Sequence, residues 1–149
     1  MASNKATIEP TVSTRVGATR LAQYGLYAAT VAIAVNALVL VIALGVFTVP
    51  AEYEPLGWMP VIASSAVGVV GATVVYGLIT RISKRPKRTF VVVAALVLLV
   101  SFVPLVSPPA ELVGAPQSVL VTLGLMHVTT AAVAVGVLLR ATKLGVDSP

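Results

Sequence analysis

The sequence predicts an all-α membrane protein, with four transmembrane helices in an up-down bundle and both termini in the cytoplasm. Three observations support this prediction. Hydrophobic residues make up 58% of the chain, charged residues only 10%, and the mean hydropathy is +1.01, whereas soluble domains carry roughly 25% charged residues. The apolar residues fall into four blocks, each near the length of about 20 helical residues that crosses a bilayer. The charged residues lie between these blocks.

Uncharged blocks of this length are expected to be helical, because a backbone in hydrocarbon must satisfy its own hydrogen bonds. The predicted spans cover about residues 21–49, 59–80, 89–106 and 118–139 of a transmembrane domain over 20–143. Residues 1–19 are predicted to form a flexible cytoplasmic tail, and residues 144–149 a short second one. Pro104 is expected to end the third helix rather than kink it.

The charge distribution predicts the orientation. Five of the ten Lys and Arg residues lie in the stretch 81–88, between the second and third spans. Nine of the ten lie near span ends on one predicted face: Arg15, Arg20, Arg81, Lys84, Arg85, Lys87, Arg88, Arg140 and Lys143. The loops on the other face carry Glu52, Glu54 and Glu111 and no cation. Since Lys and Arg near span ends stay in the cytoplasm, a multi-pass protein of the cell membrane with cytoplasmic termini is predicted.

Six short motifs follow one another in a recognisable order: Asn36, Pro50 to Pro55, Gly71 to Tyr76, Arg85 to Phe90, Ser101 to Pro104, and Leu125 to His127. This order resembles an uncharacterised family of small four-helix prokaryotic integral membrane proteins, a domain of unknown function. The resemblance covers roughly residues 20–140. It implies the four-span architecture and no biochemical mechanism.

Neutral polar side chains supply the candidate site. No Asp, Glu, Lys or Arg lies inside a predicted span, and such residues usually mark proton relays and ion-coupled transport. A helical rise of about 1.5 Å per residue puts five polar side chains at a common depth, roughly 18–24 Å from the cytoplasmic surface. This candidate mid-membrane polar site consists of Asn36, Ser64, Ser65, Ser101 and His127.

His127, the only histidine, has two interpretations. An imidazole in hydrocarbon needs a partner and changes charge near neutral pH, so it could bind a ligand or transfer a proton in a cavity, paired with Asn36. The other interpretation, which we favour, is an interhelical hydrogen bond that fixes helix register, worth about 0.6 kcal/mol on average. One histidine forms no metal site by itself, so neither a metal nor a cofactor is predicted.

Small residues in the second span predict a helix-packing face. Ser64, Gly68 and Ala72 recur every four residues, and Gly71 lies beside them. Small side chains let a second helix approach closely. The partner is either a helix of the same chain, which is the simpler choice, or a second copy of the protein.

The basic turn is expected to contact membrane lipids as well as to set the orientation. Its cations, Arg81, Lys84, Arg85, Lys87 and Arg88, suit anionic headgroups, each contributing about 1 kcal/mol near the surface. Nucleic acid is not a predicted partner, because positive charge at helix ends is explained by membrane orientation.

The sequence therefore favours a non-enzymatic structural, accessory or interaction protein of the cytoplasmic membrane, as a homo-oligomer or in a larger membrane complex. The chain has no cysteine and a single histidine, and no catalytic motif is recognisable. The alternative is a small transporter or channel, or a binder of an apolar ligand, whose cavity the five polar side chains would line.

Overall fold

A computed structural model describes residues 17–47, 54–109 and 113–143, with side chains up to residue 141. The helices are α1 Ala18–Val46, α2 Trp58–Ile82, α3 Pro86–Ser101, α4 Val103–Val106 and α5 Gln117–Lys143, with a 3-10 turn at Glu54–Leu56. Four helical segments are long and apolar enough to cross a membrane: Ala18–Val46, Trp58–Ile82, Pro86–Val106 and Gln117–Ala141. The predicted all-α, four-span fold class is confirmed. The predicted tails and outer loops lie largely outside the described residues.

The turn between α2 and α3 is short and well bonded. Pro86 occupies the first turn of α3, where its fixed φ suits a helix and its missing N–H costs no intrahelical bond. The Ser83 and Thr89 hydroxyls lie 2.9 Å apart, and the Arg85 backbone N–H donates to Ser83 Oγ at 3.1 Å. With only residues 83–85 between them, the two helices must run antiparallel.

Pro104 interrupts the third span but does not end it, which corrects the expectation from sequence. Helix α3 ends at Ser101, Phe102 forms a turn with φ and ψ still in the right-handed helical region, and α4 then continues to Val106. Proline cannot donate the hydrogen bond to the carbonyl four residues earlier, so the ladder breaks just before it. The Phe102 N–H bonds to the Leu99 carbonyl at 3.2 Å, and the span ends only at Ser107.

Buried clusters show that the helices alternate in direction. At one end of the bundle, Leu40 from the last third of α1 packs with Val61 and Val119 from the first turns of α2 and α5. At the other end, the last turns of α2 and α5 meet the start of α3 around Tyr76 and Phe90, whose ring centroids lie 4.7 Å apart. This second end carries the turn at residues 83–85 and is called the basic end below.

Helix α3 lies at the edge of the bundle. Of its residues only Pro86 and Phe90 are buried, whereas Leu96 and Leu99 are 57% and 67% exposed. It contacts α2 and α5, but less extensively than α1 does. The compact part of the bundle is therefore α1, α2 and α5, with α3 beside it.

Helices α1 and α2 approach each other closely at two glycines that lie outside the predicted packing face. A Cβ at Gly25 would lie 2.7 Å from Thr73 Cγ2, and one at Gly77 would lie 2.6 Å from Leu21 Cδ2. In the predicted face, Ser64, Gly68 and Gly71 are exposed, and only Ala72 packs against a core cluster. Along this face an added Cβ at Gly68 would lie at an ordinary contact distance of 3.5 Å from Thr130 Cγ2 of α5, whereas one at Gly71 would meet nothing within 4 Å. The packing of this face within the chain therefore stays a prediction.

We expect Gly25→Ala to destabilise the protein. The new methyl group would overlap Thr73, whose β-branched side chain is stiff and whose hydroxyl donates to the Val69 carbonyl at 2.8 Å. Overpacking costs about 1–3 kcal/mol, more than the gain of about 1 kcal/mol from replacing a helical glycine by alanine. Thermal unfolding in detergent measures the effect.

The matched control is Gly71→Ala, since an added Cβ at Gly71 meets nothing within 4 Å. This variant should equal or exceed the natural protein in stability. Equal melting temperatures for the two variants would contradict the close approach of α1 and α2.

Candidate functional site

The centre of the site is the side-chain amide of Asn36, which joins three helices. Asn36 lies on α1 and is only 2% exposed. Its Nδ2 donates to Ser65 Oγ on α2 and to Thr130 Oγ1 on α5, both at 2.8 Å. Thr129 Oγ1 donates to Asn36 Oδ1 at 2.5 Å. Both amide hydrogens and the amide oxygen are therefore bonded across helix interfaces.

The hydroxyl partners of Asn36 are themselves oriented by their own helices. Ser65 Oγ donates to the Val61 carbonyl at 2.6 Å, and Thr130 Oγ1 donates to the Met126 carbonyl at 2.8 Å. Such bonds to a carbonyl one turn back are usual for Ser and Thr inside membrane helices. Because its proton is used in this way, each hydroxyl presents a lone pair to Asn36. In the described part of the chain, no buried side-chain nitrogen or oxygen lacks a partner.

A cleft with a cavity volume of about 470 Å³ lies between α2, α3 and α5, with Asn36 in its wall. Residues between Val61 and Val75 of α2, Phe90 and Ser101 of α3, and Leu123 and Ala134 of α5 line it. Most of these side chains are apolar and several are small. Since α3 stands at the edge of the bundle, the cleft lies where small side chains of α2 and α5 face a distant neighbour.

Two phenylalanines hold α3 in place at either end of this cleft. Phe90 packs against Tyr76 at the basic end. At the other end Phe102 covers Gly124, where an added Cβ would lie 3.2 Å from Phe102 Cε1. Between them Ala94 lines the cleft. The two rings thus contact the bundle at either end of the cleft, and small side chains lie between them.

All five residues of the predicted polar site line this one cleft: Asn36, Ser64, Ser65, Ser101 and His127. The exposure of their side chains differs. Asn36 and Ser65 are buried in the wall, Ser101 is half-buried, and Ser64 and His127 are exposed. In a membrane, exposure in this sense means contact with lipid or with whatever fills the cleft.

His127 does not make either bond considered from the sequence. Its Nδ1 lies 2.7 Å from the Leu123 carbonyl oxygen, within its own helix, and the Asn36 amide is bonded to Ser65, Thr129 and Thr130 instead. The interhelical bond expected of His127 is made by Asn36. Because Nδ1–H donates to a carbonyl, the neutral ring keeps its Nε2 lone pair as an acceptor.

The serines beside His127 also present acceptors. Ser64 Oγ donates to the Val61 carbonyl at 3.3 Å, and Ser101 Oγ donates to the Leu98 carbonyl at 2.7 Å. Each hydroxyl has then used its single proton and retains lone pairs. The polar part of the cleft is thus rich in hydrogen-bond acceptors.

Thr129 and Thr130 are the site residues that sequence reasoning missed. A signal was present, since about 1.5 Å of rise per residue places Thr130 roughly 20 Å from the end of α5, in the layer already identified. Periodicity shows only that a threonine faces inward. It does not show whether the hydroxyl bonds solely to its own helix, as Thr122 does to Ser118 at 2.7 Å, or also to another.

A family model matches most of the chain. The model of a family of unknown function (DUF6069) matches residues 16–144. The chain belongs to this family. Membership in the DUF6069 family agrees with the resemblance carried by the six motifs and indicates no biochemical role. No curated protein and no solved structure matches the chain, so a function for this DUF6069 member has to be argued from its own geometry.

We expect Asn36→Leu to reduce the free energy of unfolding by about 2 kcal/mol, since three interhelical bonds are lost at roughly 0.6 kcal/mol each on average. Leucine is similar in size, and the hydroxyls keep the bonds to their own helices. Titration of the purified protein with a denaturing detergent measures the change.

Ser64→Ala is the control, because the Ser64 hydroxyl bonds only within α2. It should change the free energy of unfolding by a few tenths of a kcal/mol, the typical size of a surface effect. If Asn36→Leu is as stable as Ser64→Ala, the three-helix junction does not stabilise the bundle.

Proposed function

We propose that this multi-pass membrane protein binds a small apolar molecule in the cleft between α2, α3 and α5, without converting it chemically. One observation carries the proposal: the polar layer and the small-residue face of α2 line the same cavity of about 470 Å³. Ligand sites are typically apolar concavities of about 300–1,000 Å³ with a few polar groups.

Selectivity in such a site has to come from fit and hydrogen bonds. The lipid around the protein is as apolar as the cleft, so an apolar ligand gains little hydrophobic free energy by leaving the lipid. It gains van der Waals contact with ordered side chains, and hydrogen bonds that lipid tails cannot offer. The exposed polar atoms of Ser64 and His127 in an otherwise apolar wall suit this kind of selection.

The side chains that line the cleft support a binding role over a catalytic one. As far as the described residues go, they include no Asp, Glu, Lys or Arg. The hydrogen bond of the His127 ring is made to the Leu123 carbonyl, and no nucleophilic side chain among the described residues is bonded to the ring, as nucleophilic catalysis would require. We therefore propose a non-enzymatic role.

A second candidate is a structural or accessory role in a homo-oligomer or a larger membrane complex. The exposed edge of α3 favours it, and so does Gly71, where an added Cβ would meet nothing within 4 Å. In that case a helix from another subunit would cover α3, and the cleft would serve packing rather than ligand binding.

We also propose that the protein lies in the cytoplasmic membrane with both termini in the cytoplasm. Four spans bring the termini to the same side. The described cations at that side are Arg20, Arg81, Lys84, Arg85, Lys87, Arg88 and Arg140, whereas the described acid, Glu54, lies at the other. The positive-inside rule then places the basic end in the cytoplasm.

Anionic headgroups are the proposed lipid partners of the basic turn. Arg81, Lys84, Arg85, Lys87 and Arg88 are all exposed. The turn that carries them is bonded through Ser83, so the positive charges stay close together. Attraction of about 1 kcal/mol per cation weakens with salt, and anionic lipid retained on the purified protein should be released as salt rises.

The orientation is open to direct labelling, since the chain has no cysteine. Val113, 68% exposed, lies at the end opposite Lys84. In intact cells an impermeant maleimide should label Val113→Cys, and should label Lys84→Cys only after the membrane is permeabilised. The reverse pattern would contradict the proposed orientation.

For ligand binding we expect Ala94→Trp to abolish saturable labelling by a photoreactive hydrocarbon in vesicles. Ala94 lines the cleft, so the indole would fill it. Ala95 is the matched control, because it is exposed and does not line the cleft.

Ala95→Trp should be labelled by the photoreactive hydrocarbon as strongly as the natural protein is. Thermal unfolding of both variants shows whether each has folded. Equal labelling of two folded variants would mean that the hydrocarbon binds elsewhere on the helices.

A further inference from the structure

We infer that the cleft holds a single-chain amphiphile with a neutral head that donates a hydrogen bond, such as a long-chain alcohol. Its head lies beside His127 and its alkyl chain runs towards Phe90 at the basic end. This inference rests on the proposed ligand binding and adds the ligand's chemical class and direction.

The first basis is a polarity gradient along the cleft. At about 1.5 Å of rise per residue, Phe90 and Val75 lie roughly 6–10 Å from the basic ends of their helices, whereas Ser101, His127 and Ser64 lie roughly 22–27 Å away. All five line the cleft. One end of the cleft is thus wholly apolar and the other carries the polar atoms, so a ligand with one polar end has a preferred direction.

The second basis is the kind of polar atom on offer. The proton of Ser101 Oγ is donated to the Leu98 carbonyl at 2.7 Å and that of His127 Nδ1 to the Leu123 carbonyl at 2.7 Å, whereas Ser64 Oγ makes only a long contact of 3.3 Å with the Val61 carbonyl. What remains for a ligand is a set of lone pairs, with His127 Nε2 the strongest acceptor. A hydroxyl head can donate to them, whereas an ether or a ketone of the same shape cannot.

The third basis is shape and charge. The cleft runs from Val61 to Val75 along α2, about 21 Å by helical rise, so a volume of about 470 Å³ makes it narrow. A helix with its side chains is about 10–12 Å across, which suits the cleft less well than one alkyl chain does. Among the described residues that line the cleft there is no Asp, Glu, Lys or Arg, so an ionic head would meet no permanently charged partner there.

The experiment uses the full chain in vesicles and two photoreactive hexadecanols, one with its diazirine beside the hydroxyl and one with it at the methyl end. Mass spectrometry locates the labelled residues. The head probe should label the segments around His127 and Ser101, and the tail probe those around Phe90 and Val75. Unlabelled hexadecanol should compete with the probes for labelling about 2- to 12-fold better than hexadecyl methyl ether does. This ratio corresponds to the free energy of one hydrogen bond, roughly 0.5–1.5 kcal/mol.

His127→Phe should keep saturable labelling and lose the preference for the alcohol. Three outcomes would overturn the inference and leave the proposed binding in place, each with saturable labelling. The natural protein could show no preference for the alcohol, the head and tail probes could label exchanged positions, or His127→Phe could keep the preference. If neither probe gives saturable labelling, both this inference and the proposed ligand binding fail. Disulfide formation between two copies of Ala94→Cys would then assign the cleft to a second copy.

Discussion

The hydrogen bonds of Asn36 are the interaction on which the arrangement of the helices depends. An amide in hydrocarbon has no water to bond, and leaving it unpaired costs several kcal/mol. Asn36 is satisfied only when Ser65 of α2 and Thr129 and Thr130 of α5 reach it together. One side chain therefore fixes the level at which three helices meet, in a medium where apolar contacts alone specify position weakly.

Helix α3 has no comparable bond, and the cleft follows from that difference. Its side-chain hydroxyl at Ser101 bonds to its own Leu98 carbonyl, so no described side-chain hydrogen bond draws its middle towards α2 or α5. It is positioned by the short turn before Pro86 and by the rings of Phe90 and Phe102. A bundle with three tightly joined helices and a fourth held at its ends leaves a narrow space, into which the small residues of α2 face.

The fold could be predicted from the sequence because the bilayer restricts the choices. Four uncharged blocks have to be helices, and the short stretch 81–88 between the second and third spans favours an antiparallel pair. The depth of the polar residues could also be predicted, since helical rise is constant, and all five share one cleft. Their hydrogen bonds could not be predicted. Depth does not give the rotation of a helix about its axis, which decides that Asn36 meets Thr130 rather than His127.

The small residues of α2 show the same limit of prediction from sequence. The spacing of Ser64, Gly68 and Ala72 identifies a face of α2 but not what lies opposite. The close approach falls instead at Gly25 and Thr73, on a face of α1 whose small residues Gly25, Ala28 and Ala32 are buried. Small side chains permit close packing, and they equally permit a cleft when the neighbouring helix is held away.

The most direct test of this account is an experimental structure of the full chain purified with lipids carried over from its membrane, at a resolution that shows side chains. The account predicts Asn36 bonded to both α2 and α5, and an elongated density between α3 and the small-residue face of α2. A structure in which α3 closes against α2 and α5, with no space beside Gly68 and Gly71, would contradict it.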